Sequence, residues 1–210
     1  MSVTIIIIAV TVIISYFSFD KTDIMHKYMH NPYMEANRGQ YYRMLTSGFL
    51  HGSLGHLAFN MLSLYFFGRV VEYIMQVEYG ETTGIALYLL IYIGGIIVGS
   101  IPGFLKHKDN PHYNALGASG GVSSVIFSSI IFNPVMDICL YFLLCLPGFI
   151  LGALYLIYSY VQNKRGTDNI GHDAHFAGAI FGALVTILLV PAAIPKFFEQ
   201  LSQWRITDLF

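Results

Sequence analysis

Six long apolar stretches constrain what this chain can fold into more than any other feature of its sequence. Each is close to the length of about 20 residues that a helix needs to cross the hydrocarbon core of a bilayer. A backbone inside lipid must satisfy its own hydrogen bonds, and a helix does so within the segment. The sequence therefore predicts an all-α polytopic membrane protein, one domain over residues 1–210, with helices at 3–19, 53–75, 83–102, 115–132, 135–160 and 171–191.

The composition agrees with a membrane environment. Hydrophobic residues make up 55% of the chain and charged residues 11%, whereas a soluble domain usually carries about 25% charged residues. The formal net charge of -1 gives no electrostatic reason to bind nucleic acid. The lipid bilayer is the expected partner, and no motif implies a cofactor. No Lys or Arg precedes the first stretch and no cleavage pattern follows it, so we interpret it as a retained helix and not a signal peptide.

Two other segments carry predictions of their own. The connection over residues 20–50 mixes Tyr and Met with charged residues, which is typical of amphipathic pieces that lie at the membrane interface. Cys139 and Cys145 lie within one apolar stretch. We interpret them as small buried hydrophobic residues and not as a disulfide or a metal-binding pair.

A serine surrounded by small residues opens the fourth stretch, in the segment Gly117-Ala118-Ser119-Gly120-Gly121. A polar group at membrane depth is costly and needs a reason. One reason is packing, because small residues let two helices approach closely. We expect Gly117, Gly120 and Gly121 to face glycines of the sixth stretch. The other reason is chemistry, because a serine beside a base can act as a nucleophile.

Three more polar side chains lie inside the apolar stretches at a matching depth. His56 and Asn60 are one helical turn apart and share a face, and both can donate hydrogen bonds, as an oxyanion hole requires. His175 shares a face with glycines that include Gly178. The second, fourth and sixth stretches begin on the same side of the membrane. We therefore expect these groups to converge with Ser119 below one surface, which favours chemistry over packing.

Three motifs, in the expected order along the chain, resemble those of the rhomboid family of intramembrane serine proteases. His51-x4-His56-x3-Asn60 resembles the second-span motif, Gly117-x-Ser119-Gly120 the nucleophile motif and Ala174-His175-Phe176-Ala177-Gly178 the histidine motif. In the first loop, Tyr42-Arg43 also resembles a variant of the family's Trp-Arg pair. The resemblance covers about residues 28–190. It implies a rhomboid-like bundle of six transmembrane helices with an interfacial first loop.

The resemblance also implies an enzyme, a serine endopeptidase. Ser119 would be the nucleophile and His175 its general base, with no acidic third residue. The backbone amide of Ser119, together with His56 and Asn60, would stabilise the oxyanion. The substrate would be a transmembrane segment of another membrane protein, cut near the extracytoplasmic face beside a small residue. Structural support would come from His51, Arg43, Gly117, Gly121 and Gly178.

Two features depart from the family pattern. Many members carry an aromatic residue four positions after the nucleophile, packed on the catalytic imidazole, and here that position is Ser123. The second feature is charge. The first, third and fifth loops carry most of the Lys and Arg residues, and the positive-inside rule would place them in the cytoplasm. We follow the family, which implies a multi-pass protein of a bacterial inner membrane whose site opens to the extracytoplasmic side.

Three other interpretations stay open. A catalytically inactive relative would bind transmembrane segments without cutting them, although such proteins usually lack the serine or the histidine, and both are present. A metalloenzyme could use His172 and His175 with His51 and His56, although zinc sites usually include Cys, Asp or Glu. A transporter is the third, although the chain shows no inverted repeat of the kind that many transporters carry.

Overall fold

The computed structural model describes residues 2–140, 144–165 and 171–205. Most of these residues are helical. The bounds of the helices in chain order, α1 to α11, are Val3–Ser18, Thr22–Tyr28, Pro32–Arg38, Tyr42–Thr46, Leu54–Ser63, Arg69–Tyr79, Glu81–His107, Ser119–Phe132, Gly148–Arg165, His172–Leu189 and Ala193–Gln203. A π-helical turn, Leu64–Gly68, joins α5 to α6 without a break.

Among the described residues, three helical segments are long and apolar enough to cross a membrane, namely Leu54–Tyr79, α7 and α10. The apolar helices α1 and α8 are shorter. Large apolar side chains point outward, among them Ile13, Phe17 and Leu188, which are 55%, 61% and 76% exposed. Contact of such side chains with lipid is favourable, whereas their exposure to water would be costly. The prediction of a helical, polytopic membrane protein is confirmed.

The predicted helix over residues 135–160 is wrong in its first half. Two antiparallel strands, β1 (Asp137–Leu140) and β2 (Leu144–Pro147), form a hairpin there, and α9 begins only at Gly148. Hydropathy misled the prediction because a short apolar run is compatible with a strand as well as with a helix. The Pro147-Gly148 pair marks the boundary between strand and helix.

The interpretation of the two cysteines is also wrong. Cys139 and Cys145 are directly opposite each other in the hairpin and form a disulfide. Both residues are exposed and not buried. Their apolar surroundings in the sequence suggested a membrane helix, in which residues six apart do not face each other. In a hairpin the same spacing brings the two side chains together on one face.

Helix α7 supplies the centre of the bundle. Tyr88, Ile91 and Tyr92 are fully buried within it, together with Leu64 of the π-helical turn and Val125 of α8. Helix α8 packs against α7 on one side and against α10 on the other. The helix that begins with Ser119 is therefore enclosed between two helices, which restrains the position of its first turn.

Glycines allow these helices to meet backbone against backbone. A Cβ on Gly178 of α10 would fall on the carbonyl oxygen of Gly120, which confirms the predicted close approach of the fourth and sixth helices. Gly121 differs from the prediction, because a Cβ there would lie 2.7 Å from the carbonyl oxygen of Tyr92. It faces α7 and not α10. Gly120 also faces α7, because a Cβ there would lie 2.8 Å from the carbonyl oxygen of Gly95, and it is the Gly120 carbonyl oxygen that meets Gly178. The predicted direction is therefore wrong for both glycines.

The first loop folds into the short helices α2, α3 and α4. Arg43 of α4 holds α4 against the end of α2, since its Nη1 donates to the carbonyl oxygens of His26 at 2.7 Å and Met29 at 3.0 Å. Asn31 joins this loop to the segment before α8, because its Nδ2 donates to the carbonyl oxygen of Tyr113 at 3.2 Å and to Oδ1 of Asn114 at 2.9 Å. The supporting role predicted for Arg43 is consistent with these contacts.

A buried carboxylate holds the start of α1 against α6. Glu72 accepts hydrogen bonds from the Ser2 hydroxyl at 2.6 Å, from the Thr4 hydroxyl at 2.7 Å, and from the amides of Val3 at 2.7 Å and Thr4 at 3.0 Å. The first N–H groups of a helix have no acceptor within it, and a negative charge there is favourable. Glu72 therefore caps a helix other than its own.

Replacing Glu72 with Gln should lower the free energy of unfolding by about 2–3 kcal/mol, because a charged acceptor of several hydrogen bonds becomes a neutral group with only one acceptor oxygen. Glu78 lies exposed on the same helix, so Glu78→Gln is the matched control and should change stability little. Thermal or denaturant unfolding in detergent measures both variants. Equal stability of Glu72→Gln and the wild type would contradict the capping role.

Candidate active site

A cavity of about 790 Å³ opens where α5, α8 and α10 begin. Side chains from all three helices line it, among them His56, Ser119 and His175. Each of these three residues is partly buried. The predicted convergence of polar groups from the second, fourth and sixth stretches below one surface is therefore observed for these three.

Ser119 is the first residue of α8, and the chain reaches it through Gly117. Gly117 has a φ of +126°, a conformation that residues with a Cβ rarely adopt. A Cβ at this position would also lie 2.7 Å from Cε1 of His56, so Gly117 faces α5 and the prediction that it faces the sixth helix is wrong. The Gly117 amide donates to the carbonyl oxygen of Ser47 at 3.0 Å. Backbone conformation and lack of space thus both require glycine beside the His56 ring.

His51 is fully buried behind the serine loop. The Ala118 amide donates to its Nε2 at 3.4 Å, so Nδ1 carries the hydrogen and donates to the Ser15 hydroxyl at 2.9 Å. That hydroxyl donates in turn to the Phe49 carbonyl oxygen at 2.8 Å. One imidazole therefore links α1, the end of the first loop and the residue before Ser119.

Asn60 is placed differently from His56. It is buried, and its Nδ2 donates to the backbone carbonyl oxygen of His56 at 3.1 Å. Asn60 is not among the residues that line the cavity. In this structure the side-chain amide of Asn60 is hydrogen-bonded within its own helix, one turn away from the His56 side chain.

His175 lies in the first turn of α10, where its amide donates to the Gly171 carbonyl oxygen at 3.1 Å. The helix is brought close to α8 by Gly178 and to α7 by Gly99, where a Cβ would lie 3.1 Å from the carbonyl oxygen of Ala174. The ring of His172 is 5.9 Å from that of His175, edge to face. The two small-residue contacts set the depth of the His175 ring in the cavity wall.

A sequence model of the Rhomboid domain matches residues 38–192, which is more than half of the 210-residue chain. The chain belongs to the rhomboid family. Its similarity to individual rhomboids is moderate. It is 27% identical over 161 residues to RHOMBOID-like protein 12, mitochondrial, of Arabidopsis thaliana, 30% over 146 residues to Rhomboid protease GluP of Bacillus subtilis, and 28% over 186 residues to Rhomboid protease AarA of Providencia stuartii.

These matches cover 70%, 70% and 77% of this rhomboid and 46%, 26% and 61% of the three relatives, respectively. The chain therefore spans between about a quarter and three fifths of the relatives' length. The family match over residues 38–192 includes His56, Ser119 and His175 of the cavity wall.

Further polar residues of this rhomboid line the same cavity and were not predicted as site residues. They are His30, Ser47, Ser100, Lys106, His107, His112, Tyr113, Asn114, Gln162, Asn163 and Asp173. Most belong to the ends of α7 and α9 and to the connection before α8. No sequence spacing links them to Ser119, because they lie on other segments of the chain and share no helix face with it.

Tyr113 in the cavity wall has a raised pKa. Burial, with a smaller effect from Asp173, raises the pKa of Tyr113 to about 12.

The pH dependence of stability should reveal the neutral state of His51. Burial, with a smaller effect from the His56 imidazole, lowers the pKa of His51 from 6.5 to about 3. Between these values the unfolded chain binds a proton that the folded protein does not. Stability therefore falls as the pH decreases below 6.5, by about 1.4 kcal/mol per unit.

We expect His51→Gln to remove this contribution. Between pH 7.5 and pH 5, the wild type should lose about 2 kcal/mol more unfolding free energy than the variant. Other titrating groups are common to both proteins, so the difference between their slopes isolates His51. Unfolding in detergent at several pH values measures the slopes, and identical slopes would show that His51 titrates normally.

Proposed function

We propose that this rhomboid is an intramembrane serine endopeptidase in which Ser119 is the nucleophile and His175 the general base. The observation that supports this most is that both side chains line one cavity from the first turns of two tightly packed helices. Serine and histidine brought together in a cavity are the minimum for acyl transfer, since a hydroxyl needs a base to become nucleophilic. The relatives named rhomboid proteases support the same activity class.

In the proposed reaction the Ser119 oxygen attacks the carbonyl carbon of the scissile peptide bond, and His175 takes the hydroxyl proton. The carbonyl oxygen becomes an oxyanion. His175 then gives the proton to the leaving amine, and the peptide bond breaks to leave an acyl-enzyme. A water molecule, deprotonated by His175, hydrolyses that ester and restores the serine.

The oxyanion would be stabilised by donors at the start of α8 and α5. The Ser119 amide belongs to the first turn of α8, whose N–H groups have no acceptor within the helix, and the helix end carries partial positive charge. His56 contributes a ring N–H from the cavity wall. Asn60 is the third proposed donor, because its Nδ2 has a second hydrogen besides the one donated to the His56 carbonyl oxygen. To act, its side chain must reach the cavity when substrate binds. Losing one such donor typically costs about 10²–10³-fold in kcat.

The proposed substrate is a transmembrane segment of another membrane protein. The site lies at one end of the bundle, where a segment entering from lipid reaches both the cavity and water for hydrolysis. The close approach of Gly117 to His56 leaves limited room beside Ser119, which suits a small residue next to the cleaved bond. No cofactor takes part in the proposed reaction.

A fluorophosphonate probe tests the dyad directly, because its phosphorus bonds to an activated serine oxygen with loss of fluoride. We expect the purified protein to be labelled at Ser119, as located by mass spectrometry of the peptides. Labelling should be lost in His175→Ala and kept in His112→Ala, a matched change of another cavity histidine. Labelling that does not depend on His175 would overturn the dyad. Binding of a transmembrane peptide with neither labelling nor cleavage would support an inactive relative.

The proposed location is a bacterial inner membrane, with the cavity open to the extracytoplasmic side. Loop charge favours the reverse orientation. So does the Cys139–Cys145 disulfide at the other end of α8 and α9, because disulfides persist on the oxidising side of a membrane. The family resemblance favours the proposed one, and the Lys and Arg residues of the first loop belong to a folded element and not to a free tail.

Two matched cysteine variants separate the orientations. Asp109 is exposed near the cavity, and Glu199 is exposed on α11 at the opposite end. We expect a membrane-impermeant maleimide to label Asp109→Cys in intact cells, and to label Glu199→Cys only after lysis. The opposite pattern would place the cavity on the cytoplasmic side and leave the proposed chemistry unchanged.

A further inference from the structure

Tyr155 of α9 lies beside the proposed catalytic base. Its ring and the imidazole of His175 are nearly parallel, with an interplanar angle of 20° and centroids 6.1 Å apart. Its hydroxyl is 2.9 Å from the Ser123 hydroxyl on α8, and its ring also contacts Phe127 of α8, with centroids 6.0 Å apart. Tyr155 therefore touches the helix of the nucleophile and the ring of the base at once.

Ser123 stands one helical turn after Ser119, where the resemblance leads one to expect an aromatic ring packed on the imidazole. A serine is too short to cover that ring. Instead, its buried hydroxyl meets the hydroxyl of a tyrosine that reaches the same place from a different helix. The small residue on α8 and the aromatic residue on α9 thus occupy complementary positions.

We propose that Tyr155 is a positioning residue for His175, held in place by its hydrogen bond to Ser123, and that it supplies from α9 the aromatic support that α8 lacks. This inference rests on the proposed function. A ring parallel to the imidazole limits its rotation and shields one face from water. A flat aromatic face also stabilises the imidazolium that forms during the reaction.

The arrangement makes the geometry of the base depend on the position of α9. The nucleophile and the base lie on α8 and α10, which the glycine contacts lock together. Tyr155 belongs to a third helix, which begins directly after the hairpin and whose far end contributes Gln162 and Asn163 to the cavity wall. Any displacement of α9 relative to α8 and α10 would therefore withdraw the ring from His175.

The test compares four variants in steady-state cleavage of a fluorogenic transmembrane peptide in detergent micelles. Tyr155→Leu removes the ring and should lower kcat about tenfold with KM changed less than twofold. Tyr155→Phe keeps the ring and should retain at least a third of kcat. Ser123→Ala removes the hydrogen-bond partner of the Tyr155 hydroxyl and should lower kcat by less than Tyr155→Leu does. Tyr160→Leu, the same change at an exposed position of α9, is the control and should match the wild type.

A rescue experiment distinguishes positioning from general stability. Ser123→Phe places an aromatic ring on α8 one turn after the nucleophile, and in the Tyr155→Leu background it should restore kcat at least threefold. Unfolding of every variant is measured in the same detergent. Equal kcat for Tyr155→Leu and Tyr160→Leu would overturn the proposal, as would a Tyr155→Leu defect confined to KM.

The two proposals fail in different ways. If Ser119→Ala cleaves the peptide as fast as the wild type, the proposed function is wrong and the role of Tyr155 falls with it. If Ser119→Ala is inactive but Tyr155→Leu retains full kcat, the serine protease stands and only the positioning role is wrong.

Discussion

Replacing Ser119 with Ala should reduce cleavage of a transmembrane peptide by more than about 10³-fold, to the level of the uncatalysed background. The hydroxyl oxygen is the group of the protein that bonds covalently to the substrate in the proposed reaction, and alanine offers no nucleophile in its place. Effects of this size are typical when a nucleophile or its base is removed. His175→Ala should cause a comparable loss, because the two residues act as one unit.

The cavity itself offers a matched control for this experiment. Ser100 also lines it, but its hydroxyl donates to the carbonyl oxygen of Ile96 at 3.0 Å within α7. Ser100→Ala makes the same chemical change in the same cavity and should leave cleavage within about twofold. Purified variants are assayed with one peptide at equal enzyme concentration. Comparable losses in Ser100→Ala and Ser119→Ala would show that the cavity tolerates no change, and would remove the support for a nucleophile at Ser119.

Replacing Gly178 with Val should abolish cleavage although both catalytic residues are retained. A Cβ at this position falls on the carbonyl oxygen of Gly120, and backbone cannot move aside as a flexible side chain can. Overpacking commonly costs about 1–3 kcal/mol and sometimes more, and here α10 must shift away from α8. Because His175 lies one turn from Gly178 on the same face, this shift moves the base away from Ser119.

Gly55→Ala is the matched control for the packing experiment. Gly55 lies in α5 near the cavity, and a Cβ there would meet nothing within 4 Å. It should retain activity, and stability should rise slightly because alanine favours helix more than glycine does. Cleavage and thermal unfolding are measured together. Full activity in Gly178→Val would mean that the close approach of α8 and α10 does not determine the geometry of the dyad.

The sequence predicted the helical membrane class and the candidate site for a physical reason that can be stated residue by residue. Apolar runs of about 20 residues have few alternatives in lipid. Within such runs polar residues are rare, so Ser119, His56 and His175 were conspicuous. Their depth followed from counting residues from the same side of the membrane, and the cavity that they share agrees with that count.

Other features depend on contacts between segments far apart in the sequence. Apolar residues 137–147 are compatible with a helix or a hairpin, and the pairing of Cys139 with Cys145 follows only from the hairpin. The neighbour of Gly121 could not be predicted, because a glycine in a helix indicates a close contact but not which helix makes it. The Glu72 cap joins residues separated by about 70 positions, and no local pattern marks such a bond.

Sequence alone determined that this chain is a helical membrane protein with a serine and a histidine at one depth, because hydrophobicity and residue spacing act along a single helix. Its motifs added the resemblance to the rhomboid family. Only the tertiary structure decided what surrounds them. It placed Tyr155 beside His175, His51 behind Ala118 and the Asn60 amide on the His56 carbonyl oxygen. Each of these contacts joins atoms whose relative positions depend on helix rotation and packing, which no single segment encodes.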